Sequence, residues 1–221
     1  MDYDILNIDY IWRINDLDVY YTNDTNGGGD YFLPEYASIV KEWYGQVDNM
    51  LEWCSGPGFI GYGMLATGLC KNISFSEIFK PAISMLNKTA IENNLSVDIF
   101  TNDTLDDVDK QFDLVVGNPP HWGNVADAKH SLQKFGNYAP INDRLLQVLV
   151  DDGWKTHLSF FQNMKKLLKK DGKILLQENN TGSNPELFAQ LIKDTGLKIL
   201  STAQSVEYKP LNIYYLEVGH A

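Results

Sequence analysis

Glu52-Trp53-Cys54-Ser55-Gly56-Pro57-Gly58 follows a short apolar run that ends at Leu51 and precedes a helix-like segment that starts at Phe59. A strand that ends near a carboxylate and runs into closely spaced glycines lets a nucleotide-like ligand approach the backbone. Flavin and nicotinamide folds use the same geometry, so this stretch alone does not name the ligand. It predicts a strand-turn-helix unit with a ligand at the turn.

The composition bounds the class of protein. The 221 residues are 44% hydrophobic, which is enough for one domain with an ordinary core. The net charge is −11 and the only arginines are Arg13 and Arg144, which argues against a grip on a phosphate backbone. Cys54 and Cys70 are too few for a disulfide framework and have no zinc-ligand spacing, so we expect a cytoplasmic setting and no metal. No apolar run approaches the ~18 residues of a membrane span, and we expect neither a span nor a signal peptide.

Strand-like and helix-like segments alternate along most of the chain. Apolar periodicity predicts strands at 49–53, 72–78, 96–101, 111–117 and 173–177, and helices at 34–44, 59–67, 81–93, 157–170 and 185–195. Two closing runs, 197–206 and 211–218, are separated by only four residues, so they should be antiparallel. The pattern predicts an α/β fold with a mostly parallel seven-stranded sheet, helices on both faces and an antiparallel C-terminal hairpin.

Two segments stand outside this rhythm. Residues 1–33 are rich in Asp, Asn and Tyr, with a strand predicted at Leu17–Tyr21 and three glycines at 27–29. We expect an N-terminal extension, either a solvated hairpin or a lid over the ligand, before a main domain at 34–221. The mixed polarity of residues 122–152 predicts an insert that faces the substrate.

Asn118-Pro119-Pro120-His121 comes directly after the strand predicted at 111–117. This tetrapeptide resembles the Asn-Pro-Pro-aromatic motif of methyltransferases that act on planar nitrogens, which are the exocyclic amines of bases and the side-chain amide of glutamine. Residues 52–58, with the carboxylate before the glycines, resemble motif I of the same class. The resemblance runs from about Phe32 to the C-terminus and is nearest to the release-factor type of glutamine N-methyltransferases and related small-domain N-methyltransferases. We expect no counterpart of their helical N-terminal domain in the short acidic segment before Phe32.

This resemblance implies a Rossmann-like class I methyltransferase fold, S-adenosyl-L-methionine as the cofactor and a specific set of contacts. Glu52 would position the amino end of the methionine, and Glu77 would accept hydrogen bonds from the ribose, although it could instead cap the next helix. Cys54 replaces the first glycine of motif I. The cofactor residues predicted in this way are Phe32, Pro34, Glu52, Cys54, Ser55, Gly56, Gly58, Glu77, Ile78, Asn102, Asp103 and Asn118.

The chemistry explains why the Asn-Pro-Pro motif needs these residue types. The lone pair of an amide or aniline-like nitrogen is delocalised, so the nitrogen is a poor nucleophile. The Asn118 side-chain oxygen and the Pro119 carbonyl can each accept an N–H, which lets the nitrogen become tetrahedral and aims its lone pair at the methyl group. The two prolines fix the loop, and Pro120 completes the predicted catalytic set with His121.

His121 departs from the usual Tyr, Phe or Trp at the fourth position. An imidazole can stack on a planar acceptor and could take up the released proton. Trp122 could supply the aromatic face instead and is predicted to bind the substrate. A metal site built from Asp127, His130 and His121 is rejected, because mixed loop residues near a histidine are usually polar surface.

The sequence leaves four functions open. The leading one is an N-methyltransferase whose acceptor is a protein glutamine amide or a small planar amine. The second methylates an adenine or guanine amine in RNA or DNA, which the acidic charge disfavours. A methyltransferase-like partner that lost catalysis is the third, motivated by Cys54 and His121, and a nicotinamide dehydrogenase is the fourth. The oligomeric state is left open.

Overall fold

The computed structural model describes residues 9–102, 104–134 and 143–221. In chain order the strands are β1 (Tyr10–Ile14), β2 (Leu17–Tyr21), β3 (Val47–Trp53), β4 (Cys70–Ser76), β5 (Asp98–Phe100), β6 (Phe112–Gly117), β7 (Leu168–Asn179), β8 (Leu197–Gln204) and β9 (Ile213–His220). The α-helices are α1 (Gly29–Trp43), α2 (Phe59–Ala66), α3 (Lys80–Glu92), α4 (Val125–Lys134), α5 (Asp143–Leu149), α6 (Lys155–Leu167) and α7 (Pro185–Leu191).

Seven strands form one sheet in the order β5-β4-β3-β6-β7-β9-β8. The pairs from β5 to β7 are parallel, whereas β9 runs antiparallel to both β7 and β8. One buried cluster includes α1, α2 and the hairpin β1–β2, and a second includes α6 and α7. The predicted α/β fold, with its mostly parallel sheet and antiparallel C-terminal hairpin, is confirmed.

Several element boundaries differ from the predicted ones. Helix α1 begins at Gly29, five residues before the predicted start at Pro34. Proline favours a first turn, but here the earlier turn is held by tertiary contacts, because the Tyr208 hydroxyl donates to the Tyr31 carbonyl at 2.6 Å. Lys169 and Lys170 are residues of β7 and not of a helix end, since α6 ends at Leu167.

The N-terminal hairpin packs against the domain core. The β2 residue Val19 is fully buried, and the Tyr20 amide donates to Thr89 Oγ1 on α3 at 2.9 Å. Trp12 on β1 meets Phe59 edge to face, with ring centroids 5.5 Å apart. The predicted boundary at residue 34 falls inside α1, and the division into an extension and a main domain stays a prediction, as does a lid function.

The segment predicted as a substrate-facing insert contains α4 and α5. Trp122, Ala128 and Leu146 form a small buried cluster there, and Trp122 pairs with Val150 in an isolated parallel bridge. Residues 135–142 of this segment lie outside the described part of the chain. Its role toward a substrate stays a prediction.

Candidate active site

Three strand ends bring the predicted site residues together. In the sheet register, Trp53 of β3 pairs with Ser76 of β4 on one side and with Gly117 of β6 on the other. Glu77 and Asn118 therefore follow strands that flank β3. The chain leaves β3 toward β4 and returns on the opposite side at β6, and such a switch point at the carboxyl edge is where α/β sheets bind ligands.

The turn after β3 needs unusual backbone angles. Cys54, Gly56 and Gly58 have φ values of 52°, 53° and 86°. A β-carbon on Gly58 would lie 2.7 Å from Leu86 Cδ2 and from Tyr62 Cδ2, so only glycine fits. Cys54 tolerates the left-handed conformation in the place of a glycine. Burial raises the pKa of the Cys54 thiol well above its usual range, which makes it a poor nucleophile.

Glu77 ties this turn to the following strand. Its Oε2 accepts the Gly56 amide at 2.6 Å, and its Oε1 accepts the amides of Ile78 and Phe79 at 2.8 Å each. Burial raises the pKa of Glu77, and the three amides oppose that rise. A carboxylate has about four lone-pair sites, so three are used to fix it at the rim of the turn. None of these amides belongs to α3, which begins at Lys80 and has no side-chain cap, so the alternative interpretation of Glu77 as a helix cap is wrong; a ribose contact stays a prediction.

Glu52 is 3% exposed and points at the start of α2. Its Oε2 accepts the Gly61 amide at 2.7 Å, which joins the end of β3 to this helix N-terminus. Burial raises the pKa of Glu52 to about 8, against the opposing effect of the Gly61 and Ile60 amides. The structure therefore gives Glu52 a role in holding the turn, and its predicted contact with the methionine stays a prediction.

Two acceptors at the site are buried and have no hydrogen-bond partner among the described residues. They are Ser55 Oγ in the glycine turn and Asn118 Oδ1 after β6. Buried polar atoms are normally paired, and leaving one unpaired costs about 1–3 kcal/mol. A ligand at the switch point could pair with these two atoms; Gln177 Oε1 and Glu178 Oε1 of β7 are also buried and unpaired among the described residues.

The backbone just before Asn118 is held from below by Tyr36 of α1. The fully buried Tyr36 hydroxyl accepts the Gly117 amide at 3.0 Å and donates to the Leu175 carbonyl of β7. A β-carbon on Gly117 would lie 2.7 Å from the Trp53 carbonyl oxygen. The strand end that carries Asn118 is thus fixed on both sides, and the buried Pro119 and half-buried Pro120 continue the rigid turn.

His121 and Trp122 are turned into the protein. They are 8% and 4% exposed, and both of their amides donate to the Leu149 carbonyl at 3.1 Å. His121 Nδ1 lies 3.2 Å from Glu178 Oε2. Trp122 belongs to the small core of α4 and α5 in this conformation, so the substrate contact predicted for it stays untested.

The other predicted cofactor residues lie on α1 and after β4 and β5. Phe32 and Pro34 are on α1, where Phe32 packs edge to face on Tyr208 at 4.8 Å and Pro34 is exposed. Ile78 is 58% exposed beside Glu77 and offers an apolar surface at the β4 end. Asn102 follows β5 and accepts the Leu105 amide at 3.2 Å. Asp103 lies outside the described residues.

Three buried ionisable residues next to the site were missed in the sequence. Asp151, His157 and Glu178 are 5%, 0% and 0% exposed, and Glu178 contacts His121. His157 lies within a predicted helix and Glu178 directly follows a predicted strand, so both resembled ordinary element residues. A sequence signal does exist, because a histidine on the apolar stripe of an amphipathic helix needs a buried partner.

Comparison with known proteins agrees with this geometry. Residues 36–142 match the family model of the methyltransferase small domain. A crystallised 16S rRNA N2 G1207 methyltransferase of T. thermophilus, in complex with AdoMet and guanosine, superimposes with a TM-score of 0.60 at 13% identity, over 97% of this chain and 50% of that one. The chain has the Rossmann-like fold of this methyltransferase.

Two relatives differ in how much of their own length this chain covers. A bifunctional methyltransferase of Rickettsia prowazekii is 29% identical over 132 residues, which are 58% of this chain and 25% of the relative. A protein described as a putative N5-glutamine methyltransferase of Methanocaldococcus jannaschii is 25% identical over 167 residues, which are 75% of this chain and 79% of that one. The chain thus spans about a quarter of the rickettsial relative and most of the archaeal one.

The residues at the switch point fit S-adenosylmethionine, the ligand of the T. thermophilus structure. The left-handed glycine turn leaves room for close approach, Ser55 Oγ awaits a donor, and Glu77 stands at the end of β4 with Ile78 exposed beside it. Within the described ranges, no group of three His, Cys, Asp or Glu side chains could hold a metal ion. In the same ranges no helix is long and apolar enough to cross a membrane.

Proposed function

We propose that this methyltransferase domain transfers the methyl group to a planar nitrogen, and that the nitrogen belongs to a protein glutamine side chain or a similar small amide or amine. The observation that carries the proposal is the buried, unpaired Oδ1 of Asn118 at the carboxyl edge of β6. An NH₂ donor of the acceptor would satisfy it. A site built to hydrogen-bond an N–H rejects acceptors that lack one, because its own polar group would stay unpaired.

The Asn-Pro-Pro turn supplies the hydrogen-bond acceptors that this mechanism needs. S-adenosylmethionine supplies an electrophilic methyl group when bound. Asn118 Oδ1 and the Pro119 carbonyl each accept one N–H of the acceptor, which favours a tetrahedral nitrogen with a localised lone pair. Positive charge grows on the nitrogen as the bond to carbon forms, so both hydrogen bonds strengthen in the transition state. Because Tyr36 and the prolines fix the turn, the acceptors need little reorganisation.

Two observations favour an amide acceptor in a protein. The archaeal relative, which is named as a protein glutamine methyltransferase, aligns over most of both chains. The chain carries a net charge of −11 and two arginines, whereas binding of a nucleic acid is driven by neutralisation of phosphates with Lys and Arg. An uncharged amide needs no such surface.

A base amine in RNA is the second candidate. The T. thermophilus structure contains guanosine, and its protein is described as acting on 16S rRNA. An exocyclic amine is also a planar nitrogen with two hydrogens, so the Asn118 geometry accommodates it equally well. The net charge of −11 ranks this candidate second, because an acidic chain neutralises phosphates poorly.

Labelled methyl transfer tests the proposal. The purified chain is incubated with methyl-labelled S-adenosylmethionine and a cell extract, and the product is split by protease or nuclease treatment before the methylated atom is identified. Label on a side-chain amide nitrogen supports the leading proposal, and label on a base amine supports the second. Label on oxygen, on carbon or on no fraction contradicts both.

A further inference from the structure

Four ionisable side chains form a buried cluster behind the Asn-Pro-Pro turn. It consists of His121, Asp151, His157 and Glu178 and is called the imidazole–carboxylate cluster below. The members lie on four separate segments and are at most 8% exposed. His157 Nδ1 is 2.7 Å from Asp151 Oδ2, His157 Nε2 is 3.8 Å from Glu178 Oε1, and His121 Nδ1 is 3.2 Å from Glu178 Oε2.

Stability alone does not account for this cluster. Apolar residues of similar volume often replace a buried ion pair without loss of stability, so burying four such groups is weak evidence for a structural role. Among the four members the His121 side chain is the most exposed, at 10%, and it directly follows the Asn-Pro-Pro turn. His121 also stands at the position where the motif usually has Tyr, Phe or Trp.

The contacts of Glu178 determine the orientation of His121. Glu178 Oε2 accepts the Ser183 hydroxyl at 2.7 Å and faces His121 Nδ1. Burial alone would raise the pKa of Glu178, but its contacts with His121 and His157 outweigh it and hold that pKa below its ordinary value. An ionised Glu178 can only accept, so the proton of a neutral His121 lies on Nδ1 and the lone pair on Nε2. Among the described residues, the hydrogen bond of the His121 ring is made by Nδ1, which leaves Nε2 available.

His157 and Asp151 keep the charge on Glu178. Burial lowers the pKa of His157, yet its two carboxylate neighbours outweigh that and raise it. Asp151 is fixed by the amides of Thr156 and His157, at 3.0 and 2.9 Å. Two carboxylates and one imidazolium leave one negative charge, which a proton on His121 would neutralise. The other titratable groups close to the cluster, the Cys54 thiol and the Tyr214 phenol, are neutral because burial raises the pKa of both.

We propose that Glu178, backed by His157 and Asp151, is a positioning residue that holds His121 with a free Nε2, and that this Nε2 receives the proton released by methyl transfer. The proposal rests on the proposed function. The acceptor nitrogen forms a bond to the methyl carbon while the carbon–sulfur bond breaks and its electron pair stays on sulfur. An N–H bond then breaks, its electron pair stays on nitrogen, and the proton moves to His121 Nε2 and from there to water.

Nitrogen NMR tests the positioning step without any acceptor. The chain has four histidines, so ¹⁵N-histidine labelling gives a spectrum that single His→Gln substitutions can assign. Neutral His121 should carry its proton on Nδ1. His157 should remain an imidazolium to a higher pH than an ordinary histidine, because its pKa is raised. In Glu178→Gln the Nδ1 preference should weaken. An Nε2-protonated His121 in the unsubstituted protein overturns the proposal even if the variant fails to fold, and so does an unchanged tautomer in a folded variant.

Kinetics test the proton step with the unsubstituted chain, S-adenosylmethionine and a synthetic peptide that contains an internal glutamine. In His121→Asn the side-chain amide still donates to Glu178 but offers no base. We expect kcat to fall about 10²-fold, at the low end of general-base effects, with KM for the peptide unchanged and the histidine-dependent limb of the kcat–pH profile lost. Unchanged kcat and pH profile overturn the proton step. If the unsubstituted chain methylates neither peptide nor RNA, the proposed function fails, while the NMR result on Glu178 and His121 stands separately.

Discussion

Glu52 offers a quantitative test of how the glycine turn is built. The carboxyl group is 3% exposed, and burial raises its pKa from 4.5 to about 8. Between pH 4.5 and pH 8 the unfolded chain releases the Glu52 proton while the folded chain retains it. Because the folded state then binds more protons, the free energy of unfolding falls as the pH rises through this window. At about 1.4 kcal/mol per pH unit, the fall reaches about 5 kcal/mol at pH 8.

The substitution Glu52→Gln should remove this dependence. A glutamine oxygen can still accept the Gly61 amide, but the side chain no longer titrates. Urea unfolding of both proteins at a series of pH values from 4.5 to 8 gives the difference between their free energies of unfolding. As the pH rises, the free energy of unfolding of the variant should increase steadily relative to that of the parent protein. Glu42→Gln, which removes an exposed carboxylate, serves as the control and should keep the parent's slope. A constant difference between Glu52→Gln and the parent refutes the buried, protonated carboxyl.

Four further substitutions probe the glycine turn, the end of β6 and the loop after β7. Gly58→Ala and Gly68→Ala both place alanine at a positive φ, but of the two only Gly58 lacks room for a β-carbon. In urea unfolding, the free energy of unfolding should fall by about 1 kcal/mol for Gly68→Ala and by at least twice that for Gly58→Ala. Equal losses would contradict the packing around Gly58. Tyr36→Phe leaves the buried Gly117 amide unpaired and should lower the free energy of unfolding by about 1–3 kcal/mol. A change below about 0.5 kcal/mol, the size of a surface substitution, would argue against that contact. Gly182→Ala puts a β-carbon 2.0 Å from the His121 carbonyl oxygen, so the ¹⁵N signals of His121 should shift, and an unchanged spectrum would contradict the placement of this loop.

The fold followed from local patterns in the sequence. Glu52 to Gly58 and Asn118 to His121 are contiguous motifs, and the alternation of apolar runs placed both at strand ends, where the parallel register brings them together. The antiparallel end of the sheet followed from the short connection before β9. These features depend on neighbours in the chain, which a sequence displays directly.

The features that the sequence did not reveal depend on residues far apart in the chain. Glu178 meets His121 across 57 positions, and Tyr36 meets Gly117 across 81. The early start of α1 likewise depends on Tyr208, which lies 177 residues from its partner Tyr31. Periodicity and motif spacing carry no information on such pairs. The environment of His121, and hence the chemistry open to it, could therefore be derived only from the folded structure.

The central claim is that the unpaired Asn118 oxygen holds the acceptor nitrogen. It is tested most directly by Asn118→Ala, measured for methyl transfer to the acceptor recovered from the labelling experiment and, by calorimetry, for binding of S-adenosylhomocysteine. Asn87→Ala, which removes an exposed asparagine on α3, is the control. Loss of one preorganised hydrogen-bonding group in the transition state should lower kcat by about 10²–10³-fold. Binding of S-adenosylhomocysteine should stay within about twofold of the parent, a change well below 1.4 kcal/mol. Methyl transfer by Asn118→Ala at the parent's rate would contradict the claim.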